Sequence, residues 1–281
     1  MRHLPYVLLL ATIACAGGEK PSADTTASAP ATPNVVTVIA NDFAYTAPDT
    51  IPSGMTTFRL VNQGQQIHHV TIQRVGEGKT FADYSEAMKA LKPGAPLPTW
   101  ITEEGGPNPP APNDTTSVTQ EMQPGTYVLI CFVDTPDRVP HFAKGMVRPL
   151  IVTPSSTASA PAPTEDVKVV MKEYAWEITP ALTAGRHTLK VENAGAQAHE
   201  FFIVKLHEGK TPEDMGKWAA TYQGPPPGTA MGGLTGMRPG GVSWVDVNLT
   251  PGNYMMICFV PDAKDGKGHM QHGMVLPFTI S

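Results

Sequence analysis

Apolar residues along this chain fall in short runs, many β-branched, that alternate with polar residues and are cut by Pro, Gly, Asn and Asp. A period of two predicts strands rather than helices. The stretches "VVTVIANDFAY" from Val35 and "VKVVMKEYAWEI" from Val167 read as opening strands. Pro-Gly pairs at 124–125 and 251–252 introduce the later strands "TYVLICFV" and "NYMMICFV". Two stretches break the alternation: "TFADYSEAMKALK" and "TPEDMGKWAATYQ" each begin on threonine, carry acids in the first turn and space apolar residues as a helix does. Each is followed by a Pro/Gly-rich loop. This order predicts an all-β protein of two tandem Greek-key sandwiches, each with a short helical insertion before its cysteine strand.

The pattern occurs twice. "TFRLVNQGQQIHHVTIQRV" matches "HTLKVENAGAQAHEFFIVKL", with Asn62-Gln63-Gly64 over Asn193-Ala194-Gly195 and His68 over His199. Further on, Cys131 lies over Cys258, His141 over His269 and Met146 over Met274. Between the copies, "TPSSTASAPAPTED" has no large apolar residue and reads as a short, extended linker. The expected domains are therefore 35–152 and 167–281, joined by a linker at 153–166.

The N-terminus reads as an address. Arg2 and His3 precede "LPYVLLLATIA", too short to span a bilayer and suited to a signal-peptide core. It ends at "TIAC", similar to a bacterial lipobox with Thr12 in place of the usual Leu, so residues 1–15 are expected to be removed or anchored, with lipid on Cys15. The alternative is an ordinary secretory signal cut a few residues later. Residues 16–34 form a small, polar tether, and Ala16 resembles outer-membrane sorting, so the expectation is an exported lipoprotein on the periplasmic side of a bacterial membrane.

Composition narrows the partners. Charged residues make up 16% of the chain and the net charge is −5, which leaves no basic stripe for a nucleic acid. Export makes the cysteines informative, because paired thiols in an oxidising compartment normally form disulfides. A Cys131–Cys258 bridge would leave the repeated His and Met unexplained, whereas metal ligation accounts for all three residue types. Strand alternation puts His68 with Val70 and Ile72 on the core face, and His199 with Phe201 and Ile203. His69, Thr71 and Gln73 fall on the opposite face, so His69 is expected near the surface, as is Glu200 in the second copy.

One thiolate, two imidazoles and a thioether form a soft N/S donor set. Structural zinc usually recruits more cysteines, whereas His₂Cys with an axial Met suits copper cycling between Cu(I) and Cu(II). Both halves resemble cupredoxins, the blue (type 1) copper domains typified by plastocyanin and azurin, through "NQGQQIHH" and "NAGAQAHE" and through "GTYVLIC…H…GM" and "GNYMMIC…H…GM". The resemblance implies copper on His68, Cys131, His141 and Met146, and on His199, Cys258, His269 and Met274. His272 rivals His269 but lacks its spacing to Met274. The Cys-to-His gaps of nine and ten residues exceed those of the small carriers and approach those of copper nitrite reductases. Small carriers often have Asn after the first ligand, where this chain has His69 and Glu200.

Ile130 and Phe132 flank Cys131, Ile257 and Phe259 flank Cys258, and no His-x-His pair occurs, so the histidines that wire further copper ions in oxidases and reductases are missing. The expectation is a non-enzymatic carrier passing single electrons between redox protein partners. The alternative is a copper-binding, copper-delivery or protein-interaction module.

Overall fold

The computed structural model describes Met1, His3, residues 31–92 and residues 94–281. The expected signal peptide with its Cys15, and most of the tether, lie outside the described residues.

Among the described residues the chain is all-β apart from two short helices and two single turns of 3-10 helix. The first half contains β1 (Asn34–Asn41), β2 (Ala44–Thr46), β3 (Thr50–Pro52), β4 (Gly54–Asn62), β5 (Thr71–Val75), α1 (Phe81–Ala90), β6 (Ile101–Glu103), β7 (Thr115–Met122), β8 (Gly125–Ile130) and β9 (Val147–Thr153). The second contains β10 (Val167–Lys172), β11 (Ala175–Thr179), β12 (Gly185–Asn193), β13 (His199–Leu206), α2 (Pro212–Thr221), β14 (Gly228–Met237), β15 (Val242–Leu249), β16 (Gly252–Ile257) and β17 (Val275–Ile280). Both helices start at the expected threonines. Thr80 and Thr211 accept the Asp83 and Asp214 amides, and those aspartates accept the threonine amides in return.

In each half, alternation supplies a core between two layers. Val38, Phe58 and Leu60 from β1 and β4 meet Ile72, Leu129 and Leu150 from β5, β8 and β9. Val169, Leu189 and Val245 meet Ile203 and Met256 in the same way in the second half.

The halves do not stand apart as beads on a linker. β7 pairs antiparallel with β15, Thr119 facing Trp244, so one eight-stranded sheet runs β11-β10-β12-β15-β7-β4-β1-β2. Val118 of β7 consequently packs in the second half's core. The other layer is joined as well. After β6 the backbone from Glu104 to Ala111 bonds on one side to the first half, with Val70 N donating to Pro107 O at 2.9 Å. On the other side it meets β14, Asn108 N donating to Gly233 O at 3.1 Å and Thr235 N to Gly106 O at 2.8 Å. Gly106 (φ +124) and Gly233 (φ +126) occupy matching points of this crossing, and a Cβ on either would overlap the carbonyl oxygen of Val70 or of Phe201. The stretch 153–166, read from composition as an extended spacer, docks against the first half: the Ser159 hydroxyl accepts Met55 N at 2.8 Å and Ala160 is buried.

Helix α1 accounts for a departure from simple alternation. Thr71 and Gln73, expected on the exposed face of their strand, are buried, and Gln73 Oε1 accepts the Tyr84 hydroxyl of α1 at 2.5 Å. β5 is covered on both faces.

Candidate metal centres

Each candidate centre begins at its Asn-x-Gly turn. Asn62 Oδ1 accepts Gly64 N at 3.0 Å while its amide donates to Gln66 O at 2.8 Å; Asn193 makes the same pair with Gly195 and Gln197 at 2.9 Å each. The turn lays the backbone against the histidine that follows. A Cβ at Gly64 would stand 2.6 Å from His68 Nε2, and one at Gly195 2.6 Å from His199 Nε2, so only glycine fits.

The other residues come from the loop after each cysteine strand. The long insertions do not loosen it. Thr135 N donates to Val139 O (3.0 Å) and Asp262 N to Lys267 O (2.7 Å), closing each insertion on itself, and His141 N and His269 N donate to Val133 O and Val260 O (2.8 and 2.9 Å). One 3-10 turn then runs to Gly145 or Gly273, both left-handed. The methionine that follows is bound to the cysteine backbone: Cys131 N donates to Met146 O at 3.1 Å, Cys258 N to Met274 O at 3.3 Å.

Three of the four expected side chains per half converge. His68 Nδ1 and His141 Nδ1 are 3.0 Å apart, and Cys131 Sγ is 3.5 Å from His141 Nδ1. In the second half the distances are 3.0 Å for His199–His269 and 3.3 Å for Cys258–His269. All six residues have no exposed surface, and Met146 and Met274 are equally buried. His272 does not join: it is partly exposed, and its Nε2 lies 3.2 Å from Asp265.

The outer ring nitrogens face oxygens. His68 Nε2 is 2.9 Å from Asp42 Oδ1, His141 Nε2 3.2 Å from Gln66 Oε1, His199 Nε2 3.8 Å from Glu173 and His269 Nε2 3.8 Å from Asp262. Protons on Nε2 leave each pair of Nδ1 lone pairs and the sulfur pointing at one place, an arrangement that fits a cation. Burial lowers His141 and His269 to about 4, which keeps them in the neutral, ligating form. Burial pushes the Cys131 thiol up to about 12 and raises Cys258 well above the ordinary thiol value, with the Glu200 carboxylate adding to the latter. A bound metal ion would deprotonate both thiols outright.

Several supporting residues were not anticipated, and they too occur in matched pairs. Phe43 and Tyr174, both with left-handed backbone (φ 67 and 58), stand edge-on to His141 and His269 with centroids 5.2 and 5.4 Å away. The Tyr45 hydroxyl donates to His69 O, and Trp176 Nε1 donates to Glu200 O at 3.3 Å. The signal lay in the opening strands, where "DFAY" falls over "EYAW" in the repeat alignment.

His69 is turned away from the core of its own half, as alternation requires, and is half-buried. Its Nε2 accepts the Phe132 amide at 2.8 Å, and burial holds its basicity down to about 3. Neighbouring Ile67 packs with Phe202 and Ile257 of the second half, which covers this face. Glu200 plays the matching part, its carboxylate accepting the Phe259 amide, and is buried. Imidazole and carboxylate thus fill one role: each fixes the residue after the cysteine. His68→Ala should abolish first-half metal ligation, read as loss of one metal-dependent visible band. His69→Ala should leave that band in place with a shifted maximum; the reverse pattern would overturn the assignment.

No protein-family model and no curated protein sequence matches the chain. Among solved structures it is similar to Na-dithionite reduced auracyanin from the photosynthetic bacterium Roseiflexus castenholzii, with 27% identity over 44% of this chain and 99% of that one, TM-score 0.30. It is also similar to auracyanin A, a "blue" copper protein from Chloroflexus aurantiacus (23% identity, 43% and 100% covered, TM-score 0.30). A third similarity is to Blue Copper Oxidase from Nitrosomonas europaea (17% identity, 89% and 86% covered, TM-score 0.26).

Proposed function

We propose that the chain is an exported carrier of single electrons that holds one type 1 copper in each of two cupredoxin-like sandwiches. His68, Cys131, His141 and Met146 would bind one ion, and His199, Cys258, His269 and Met274 the other. The observation that carries this reading is the buried convergence, made twice, of two imidazole Nδ1 atoms on one cysteine sulfur. Bound there, copper would supply a one-electron couple.

The remaining chemistry belongs to the chain. Four hydrogen-bonded turns fix the ligands in advance, so little has to move when the charge changes. The Asp42 carboxyl is raised by partial burial but held lower overall by His68 and the Gln65 and Gln66 amides, and as an anion it orients His68. Glu200 N donates to Cys258 Sγ at 3.4 Å, and such bonds tune a thiolate's potential. Phe and Ile flank both cysteines, which leaves no ligand beside them for a further copper where substrate would bind.

Copper(II) titration tests the proposal. Two equivalents should bind per chain with an intense visible band that bleaches reversibly on one-electron reduction, and the loaded protein should not consume oxygen or nitrite in the steady state when supplied with a reductant. A colourless protein, or one that releases copper on each reduction, sinks the carrier reading; sustained turnover makes it an enzyme instead.

A further inference from the structure

A series of polar side chains, Asn108 and Glu200 buried and His69 half-buried, lies between the two candidate centres. It starts at Phe132, the residue after Cys131, whose amide donates to His69 Nε2 at 2.8 Å. Asn108 lines the same cavity as His69, and its carboxamide opposes the lowering of His69 basicity by burial. Asn108 Nδ2 lies 3.4 Å from Glu200 Oε2, and Glu200 Oε1 accepts the amide of Phe259, the residue after Cys258. With Nε2 accepting, the neutral His69 ring carries its proton on Nδ1. The Asn108 NH₂ donates to Glu200 and also to Leu234 O at 2.9 Å. Asn108 is 1% exposed.

The position of Asn108 is as specific as its bonds. It lies in the segment from Glu104 to Ala111 that belongs by backbone pairing to both halves. The covalent route between the cysteines passes through most of the second half. The side-chain route needs one residue from each centre and one between them.

We propose that His69, Asn108 and Glu200 are the conduit through which the two centres exchange an electron within a single chain. This rests on the copper reading above. One electron leaves one centre and arrives at the other, so the first is oxidised by one unit and the second reduced by one. No bond forms or breaks and no proton leaves His69, Asn108 or Glu200. Hydrogen-bonded contacts couple donor and acceptor more strongly than gaps do.

The test uses the full chain in a Met274→Gln background, which gives the second centre its own spectrum and potential. After pulsed one-electron reduction, redistribution between the bands should proceed at a rate independent of protein concentration. Asn108→Leu, and the smaller Asn108→Ala should bulk disturb folding, should slow it by at least an order of magnitude with both band intensities kept. An undiminished rate in either folded variant overturns the conduit. Nitrogen-15 NMR of the metal-free protein gives a second readout: His69 should be the Nδ1–H tautomer, with that proton shifted upfield in the Asn108 variants. An Nε2–H tautomer overturns the conduit without any copper present. Absence of the blue bands from the parent protein instead sinks the copper reading and leaves the NMR result to judge the bridge.

Discussion

Cys131→Ser should remove half of the visible charge-transfer intensity of the copper-loaded protein, Cys258→Ser the other half, and the double substitution all of it. The band arises from a sulfur-to-copper transition, and each candidate centre has a single sulfur placed to make it. Serine is nearly isosteric and leaves the histidine pair 3.0 Å apart in each half, so Cu(II) should still bind weakly but without colour. The effects are independent because each cysteine serves its own centre: Cys131 is 3.5 Å from His141 and Cys258 3.3 Å from His269. Both thiols are free. Quantitative absorption spectra of the four proteins at equal copper loading decide the matter. A single substitution that removes the whole band would mean one shared centre, and a band that survives the double substitution would exclude thiolate ligation.

The residues of these centres were legible because their chemistry leaves little choice. A soft ion of that kind needs a thiolate and neutral imidazoles, so Cys131 and Cys258, or His141 and His269, stand identical in the two copies, with Cys-to-His gaps of nine and ten residues. The support around them was less legible, because a hydrogen-bonding role constrains identity less than ligation does. An acceptor for the amide after the cysteine is His69 in one half and Glu200 in the other; the carboxylate facing the first histidine's outer nitrogen is Asp42 or Glu173; the donor clamping the next carbonyl is Tyr45 or Trp176. Only the repeat alignment relates these pairs.

Alternation placed His68, Val70 and Ile72 on the core face, where all three are buried. It erred on the opposite face, since a period of two identifies faces and not what covers them. The joining of the halves is made mostly by backbone groups, between β7 and β15 and between Glu104–Ala111 and β14. Backbone donors and acceptors are the same in every residue, so the sequence carried little trace of this join beyond two glycines.

Those glycines give the sharpest test of the joined architecture. Gly233→Ala should destabilise the protein by about 3 kcal/mol or more, the sum expected when a disfavoured backbone conformation and a steric overlap that side chains cannot relieve occur together. At φ +126 the backbone is in a region that L-residues rarely adopt, and the added methyl would meet the Phe201 carbonyl oxygen, part of the backbone of β13. Gly106→Ala should cost as much, for the matching overlap with Val70 O. Gly209 supplies the control: its φ is +72 with nothing within 4 Å of a built Cβ, so Gly209→Ala should cost only about 1 kcal/mol, the ordinary left-handed penalty. The consequence that matters for function is cooperativity. One sheet runs through both halves and backbone bridges link the other two, so thermal unfolding of the metal-free Gly233→Ala protein should remain a single transition at a lower midpoint, with tryptophan fluorescence and far-ultraviolet circular dichroism changing together. Two separated transitions, with the first half melting at its unaltered temperature, would show that the halves are independent domains that merely touch.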